Sequence, residues 1–367
     1  MAADGKGTVL VTGVNGYIAS AAAQAFLNAG YLVRGSVRSR ERSAQALDQA
    51  FSKELDAGQL EIIEVPESGG AGAWDAAVRG VVGIASVAAP GIESLTDVAE
   101  TVRTAKAVVN SLLSSAEMHA GPQLRAVVLL SSLAALHADP IGPGFVFKET
   151  DFVPQMEEVV VAMGDKATKP MVYLATKVAV ENAFWGVVNS TDRQSRFTGA
   201  VVNPGYCIGP SVVLPSEPAN LPPSVRCAWH IFAGHAWPED FNIGVFVDVR
   251  DVAAALVFCI AQPDSAAGRR FLLAGPKGNN QAIADVLREA LPDRRDAIRV
   301  GEPGKGYNAD FKPADTDIWF DGTAIVAASG HDYTPFKISV VDAARSFEPF
   351  IRDGKDAGMG DEVPVLF

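Results

Sequence analysis

Tyr173 and Lys177 stand four residues apart in the run YLATK (Tyr173–Lys177), a spacing that puts a phenol and an ammonium on one face of a helix. A free phenol, with a pKa near ~10, is a poor acid at neutral pH. A positive charge beside it stabilises the phenolate and brings proton transfer within reach. The neighbours Met171, Val172, Leu174, Ala175, Val178, Ala179, Val180 and Phe184 make this helix apolar nearly all round, so it is expected to be buried. A buried lysine then needs a partner or a function. A third polar group is expected where the apolar run Val127–Leu130 ends in Ser131 and Ser132. Ser132 is assigned to hydrogen-bond a substrate oxygen, and Ser131 to bond locally. A serine pair after a strand is by itself ordinary turn or cap chemistry. Specificity comes from the order: a glycine turn first, this serine next, and the tyrosine–lysine pair about forty residues later.

That glycine turn is Gly13-Val14-Asn15-Gly16-Tyr17-Ile18-Ala19. Gly13 and Gly16 permit a tight turn and a close backbone approach to a pyrophosphate. The helix that follows would aim its free N–H groups at the anion, with Asn15, Tyr17 and Ile18 beside it. Ala19 takes the third, helix-packing position, where glycine is usual. Four arginines then fall within nine residues, at Arg34, Arg38, Arg40 and Arg42. A site for NAD usually has an acidic side chain there, on the ribose hydroxyls. Guanidinium forks suit instead the 2′-phosphate of NADP(H), with up to about two negative charges. Arg38 and Arg42, one helical turn apart, are the preferred pair. Ser39 offers a hydroxyl, and Arg34, inside a strand, is the weakest candidate. The competing reading is a solvated helix start.

The elements that must position these groups alternate along the chain. Strands are expected at Thr8–Thr12, Tyr31–Val37, Leu60–Val65, Val81–Ala88, Ala126–Ser131 and Phe197–Val202. Helices are expected at Tyr17–Ala29, Ser43–Leu55, Thr96–His119 and Pro170–Gly186. Apolar strands alternating with helices predict an α/β fold: a Rossmann-type, doubly wound parallel sheet covered on both faces. After Pro204 prolines and short elements take over, which predicts a smaller substrate lobe. Gly244–Val247 and Asp251–Ile260 are expected to return to the sheet. The dinucleotide-binding domain is thus placed at 1–204 and 244–262, and the C-terminal substrate lobe at 205–243 and 263–367.

The chain has 367 residues, 48% of them hydrophobic, and 43 acidic against 31 basic side chains for a net charge of −12. A nucleic-acid partner is not expected, because a phosphate-backbone binder carries a basic stripe. Cys207, Cys227 and Cys259 are odd in number and lack metal-ligand spacing, so neither a disulfide frame nor a metal site is expected. With no signal pattern and no uninterrupted apolar run of ~18 residues, a cytoplasmic protein without a membrane partner is expected, either monomer or homodimer.

Six segments together resemble the extended short-chain dehydrogenase/reductases, in the group of dihydroflavonol reductase, cinnamoyl-CoA reductase and microbial aldehyde or methylglyoxal reductases. They are VTGVNGYIAS (Val11–Ser20), VRGSVRS (Val33–Ser39), VVLLSSLAAL (Val127–Leu136), YLATK (Tyr173–Lys177), VVNPGYCIGP (Val201–Pro210) and VFVDVRDVAAAL (Val245–Leu256). The resemblance spans about the first 260 residues. It implies NADPH and the catalytic set Ser132, Tyr173 and Lys177, with the tyrosine protonating the oxygen that becomes the alcohol and the lysine also holding the nicotinamide ribose. It gives Pro204 and Tyr206 a contact on the nicotinamide side, and Glu64, Val65 and Ala88 contacts elsewhere along the cofactor. Departures are Ser86 where histidine is common and Arg103 where an asparagine is often found, which puts a water relay in doubt but not hydride transfer. The substrate implied is a small to medium hydrophobic or aromatic carbonyl or alcohol. Trp229, Phe232, Trp237, Phe241 and Trp319 are candidates for its pocket, though each taken singly is more readily explained as core, and His230 and His235 are expected near the cleft. A nucleotide-sugar epimerase or dehydratase with retained NAD and a non-catalytic dinucleotide sensor are the competing functions.

Overall fold

In the computed structural model, which describes residues 5–88, 97–137, 139, 141–191, 197–241 and 243–352, the apolar runs pair side by side. Seven strands form one parallel sheet in the order β10-β7-β5-β4-β1-β2-β3. These are β1 (Thr8–Val11), β2 (Leu32–Val37), β3 (Leu60–Glu64), β4 (Val81–Ser86), β5 (Ala126–Leu130), β7 (Thr198–Pro204) and β10 (Arg270–Leu273). Alternate residues of each strand serve opposite faces. Val9, Val11, Val33, Val128 and Val202 enter one apolar cluster, while Leu10, Ile84, Val127, Leu129 and Val201 enter another. Both faces are dry, which is why these strands are apolar throughout rather than alternating.

The first cluster is covered by α1 (Tyr17–Asn28), α2 (Arg40–Asp56) and α7 (Val249–Ala261), with α1 packed on α7; the second is covered by α3 (Val98–His119) and α5 (Lys169–Val188), with α4 (Met156–Met163) alongside. Gly35 in β2 is where a side chain is excluded: a Cβ there would lie 2.5 Å from Val14 Cγ1, in the loop that leaves β1. The expected start of α3 at Thr96 and the tail 353–367 lie outside the described residues.

Beyond the sheet sits the lobe. It carries two short parallel pairs, β8 (Tyr206–Ile208) with β9 (Phe246–Asp248) and β6 (Val146–Phe147) with β11 (Trp319–Phe320). Its helices are α6 (Pro223–Ala233), α9 (Asn280–Ala290), α10 (Thr323–Ser329), α11 (Phe336–Ser346) and α12 (Glu348–Arg352), while the short α8 (Pro263–Ala266) stays with the sheet, against β7 and α7. Two features differ from expectation. Segment 263–367 does not belong wholly to the lobe, because β10 adds the edge strand beside β7. The strand expected at Gly244–Val247 does not rejoin the sheet; it pairs with β8, and only α7 returns. Both depend on pairing between distant segments, which a four-residue apolar run does not encode.

The aromatic candidates for a substrate pocket resolve mainly as core. Trp229 is fully buried against Phe347 and Phe350, with ring centroids at 5.8 and 5.3 Å, and Phe232 joins the same cluster. His230, also buried, stacks edge-on with His235 at 5.3 Å. Among the described residues no helix is long and apolar enough to cross a membrane.

A buried ion pair joins β10 to α5. Glu181 is fully buried, and Arg270 reaches its Oε2 from Nε at 2.8 Å and from Nη2 at 2.7 Å. Arg270 also donates to the Glu149 carbonyl at 2.9 Å and lies over the Phe152 ring. Removing one partner strands a charge in the interior. Glu181→Leu should therefore cost about 3–5 kcal/mol of unfolding free energy in urea, and adding Arg270→Leu should restore part of it; an equal loss in both variants would refute the pairing. His230 gives a second test. Burial, then the charges of His235 and Arg226, pull its pKa from 6.5 down to about 4. The unfolded chain thus binds a proton that the folded one refuses, and stability should fall as pH drops from 6.5 to about 4, by at most about 1.4 kcal/mol per unit. Urea midpoints of His230→Leu across this range should lose that part of the slope.

Candidate functional site

The carboxyl ends of the parallel strands all lie along one edge of the sheet. After β1 the chain builds outward through β2 and β3, then returns to the other side of β1 as β4. That reversal leaves a crevice above β1 where no connection crosses. A cavity of about 980 Å³ fills it.

At its β1 end the glycine turn is tied on both sides. Thr12 Oγ1 accepts from the N–H groups of Val87 and Ala88, each at 2.9 Å, which fastens β1 to the end of β4. Ser36 Oγ accepts from Gly13 N at 3.1 Å, and the Ser36 carbonyl from Val14 N at 2.9 Å. Gly13 has φ +69°, and a Cβ on it would stand 2.9 Å from the Cβ of Ala88, so no other residue fits without strain. Gly16 caps α1 without a side-chain bond, and no acidic residue occupies the first turn. The amides there keep their positive potential towards the cavity, which Gly13, Asn15, Gly16, Tyr17, Ile18 and Ala88 all line. Tyr17 is also a tie: its hydroxyl donates to the Gly209 carbonyl at 3.0 Å, bringing the segment after β7 against α1.

The four arginines separate into two pairs. Arg34 is engaged with Glu61 at 2.8 Å and with the carbonyls of Ala77 and Arg79, and Arg40 with the Ile62 carbonyl. Arg38 and Arg42 line the cavity and make no ion pair among the described residues. Ser39 caps α2, its Oγ accepting from Arg42 N at 3.4 Å. Glu64 is not among the lining residues; its carboxylate accepts from Arg40 N at 2.7 Å and so helps start α2. Val65 does line the cavity, with Ser68, Trp74, Val108 and Leu112 near it on the β3 and α3 side.

At the opposite end Ser132, Tyr173, Lys177, Pro204 and Tyr206 share the cavity wall. Pro170 in the first turn and an apolar alanine–valine body make α5 a helix. On it Lys177 is buried, and its Nζ lies 5.6 Å from the centroid of the Tyr173 ring. The two serines exchange the roles expected for local bonding. Ser132 leaves the strand to cap the short turn Leu133–Ala135, and its Oγ accepts from Ala134 N at 3.1 Å. Ser131 Oγ is buried with no hydrogen-bond partner among the described residues. Accepting from a backbone N–H leaves the Ser132 proton free to be donated into the cavity.

Behind the serine a buried amide was not foreseen. Asn203, fully buried, donates to the Ser132 carbonyl at 2.9 Å and to Glu181 Oε1 at 2.7 Å. Glu181 lies four residues beyond Lys177 on the same helix face, so Arg270, Glu181 and Asn203 lock α5 to the serine turn. Its only sequence signal was the asparagine in VVNPGY.

Much of the remaining lining is apolar, with Leu136, Ile141, Phe147, Ile243, Ile318 and Phe320 among it. Neither His230, His235 nor any of the five expected aromatics belongs to the lining. Burial, then the Asp248 carboxylate, pushes the Cys207 thiol up to about 12, so this wall residue stays neutral. Ser86 lines the cavity, whereas Arg103 pairs with Glu100 at the surface.

Comparison with known proteins agrees with this geometry. The model of the NAD dependent epimerase/dehydratase family matches residues 9–274. The ketoreductase adrE of Penicillium rubens is 33% identical over 78% of this chain and 81% of its own. An NADPH-dependent methylglyoxal reductase of Saccharomyces cerevisiae is 28% identical over 82% and 87%. The crystal structure of yeast methylglyoxal/isovaleraldehyde reductase complexed with NADPH superposes with a TM-score of 0.79, at 23% identity over 95% of this chain and 99% of that one, which shows a common fold. The glycine turn, the strand-end serine and the tyrosine–lysine helix all lie within the matched residues 9–274, and the chain belongs to the NAD dependent epimerase/dehydratase family, the extended short-chain dehydrogenase/reductases.

Proposed function

We propose that this protein reduces a neutral, hydrophobic aldehyde or ketone to its alcohol with NADPH. The observation that carries the proposal is a single cavity that holds a glycine turn and two arginines without an ion pair among the described residues at one end, and Ser132, Tyr173 and Lys177 at the other. The cradle above Gly13 and the uncapped start of α1 fit a pyrophosphate, and Arg38 and Arg42 fit a 2′-phosphate. Val65 and its neighbours offer an apolar slot for the adenine, and Pro204 and Tyr206 border the nicotinamide end. The names of the NADPH-dependent relatives support the same cofactor.

Bound NADPH supplies the hydride that reduces the carbonyl carbon. The chain's own groups act on the oxygen. Ser132 donates its free hydroxyl proton in a hydrogen bond that polarises the carbonyl. Tyr173 gives its phenolic proton to the oxygen as negative charge develops there, so that hydride and proton together complete the alcohol. Lys177 holds a positive charge beside the phenolate left behind, in a buried setting where that attraction is little screened. The phenol is then reprotonated from solvent.

Nucleotide-sugar chemistry is less well supported. A sugar diphosphate needs cations at the substrate end, and among the described lining residues the cationic ones are Arg38, Arg42 and Lys177. The apolar side chains beside Tyr173 suit a neutral substrate instead. Free thiols at Cys207, Cys227 and Cys259 accord with a cytoplasmic location.

NADPH oxidation followed by absorbance against a panel of aldehydes and ketones tests the proposal: steady turnover is expected, and retention of tightly held NAD without turnover would refute it. Tyr173→Phe should lower kcat by about 10²–10⁴-fold with NADPH affinity changed only a few-fold; unaltered turnover would remove the acid assignment. Arg38→Ala should weaken NADPH binding by about 10–100-fold, the loss of one or more charge-assisted bonds, and leave NADH nearly untouched. Equal losses for both would show that Arg38 does not read the phosphate.

A further inference from the structure

The apolar end of the cavity is bounded by a wall that the catalytic chemistry does not use. Phe147 and Phe320 stack at 4.8 Å with their planes 14° apart, and both line the cavity. They come from β6 and β11, over 170 residues apart in sequence, and the strand pair holds them rigidly. Trp319 N donates to the Phe145 carbonyl at 2.9 Å, Asp321 N to the Phe147 carbonyl at 2.8 Å, and Gly144 N to the Thr316 carbonyl at 3.0 Å. Phe145 backs Phe147 edge-on at 4.9 Å, so that ring cannot retreat.

On the other side of β11 lies a second cavity of about 580 Å³, bordered by Val146, Trp319, Asp321, Val326 and Ala327 among others. Phe320 is the residue that borders both cavities. We propose that Phe320 is a fixed partition that sets the size of carbonyl the site accepts, and that the space behind it is a latent extension for longer or bulkier substituents. The wall discriminates by steric exclusion: the ring is buried and stacked on Phe147, and its chain neighbours Trp319 and Asp321 are tied to β6, so swinging it aside gives up the stack. The site consequently favours compact neutral carbonyls, and bulk directed at β11 is refused. This inference rests on the carbonyl-reductase reading for its substrate class, but the partition itself is a property of the two cavities.

The test compares propanal with 2-acetylnaphthalene in the full chain. Phe320→Ala should raise the ratio of kcat/KM for the bulky ketone over that for propanal by about tenfold or more, with NADPH dissociation constants, from fluorescence titration, within twofold of the parent. Phe320→Leu, which keeps most of the apolar fill if the alanine variant folds poorly, should move the ratio the same way by less. Ala327→Phe placed in the Phe320→Ala background refills the outer cavity and should cancel the gain. An unchanged ratio in both Phe320 variants, with NADPH binding intact, overturns the inference. Calorimetric titration of 2-acetylnaphthalene into the NADP⁺ complex measures the same wall without turnover. If neither carbonyl is reduced by the parent, the reductase reading fails; tighter binding of the ketone to Phe320→Ala would still uphold the partition, and unchanged binding would overturn it.

Discussion

A buried ammonium is the constraint around which this site is built. Lys177 sits within a helix that is apolar on almost every side, and an isolated charge in such a place costs several kcal/mol unless something compensates it. The face of Tyr173, four residues earlier on the same helix, lies 5.6 Å from its Nζ and attracts a cation. That arrangement is useful only if the helix cannot slide or rotate. Arg270, Glu181 and Asn203 meet this need: one buried carboxylate joins the edge strand, the helix and the serine turn through charge-assisted bonds. Oxygen chemistry at one end of the cavity is thus supported by a strand that contributes nothing to it directly.

The cofactor end obeys a different logic, in which occupancy separates structure from recognition. Four arginines of similar sequence context diverge in the fold. Arg34 and Arg40 spend their donors on Glu61 and on backbone carbonyls, which fastens the β2–β3 edge and the start of α2. Arg38 and Arg42 are left facing the cavity, where their positive charges add to the potential of the uncapped α1 terminus. Local anion preference in a chain of net charge −12 is therefore a matter of which guanidinium groups the fold has already used.

The lobe supplies enclosure. Trp229, Phe347 and Phe350 form its core, while β6 and β11 bring Phe147 and Phe320 to the cavity from distant parts of the sequence. Tyr17, reaching from the glycine turn to the Gly209 carbonyl, ties the two halves at the point where cofactor and substrate ends meet.

What the sequence determined by itself was everything carried by short-range pattern. The glycine spacing at Gly13 and Gly16, the i,i+4 pairing of Tyr173 with Lys177, the strand-end serines and the strand–helix alternation are local regularities, and each maps onto one turn or one element. Tertiary structure decided the rest, because it depends on which distant segments pair. Neither the edge position of β10, nor the capping bond that falls to Ser132 rather than Ser131, nor the capture of Glu64 by Arg40, nor the Asn203 bridge follows from spacing. The substrate wall is the plainest case: a phenylalanine at 147 and another at 320 have no periodic relation, and only the hydrogen bonds between two two-residue strands, together with the packing beneath them, bring their rings into one stack.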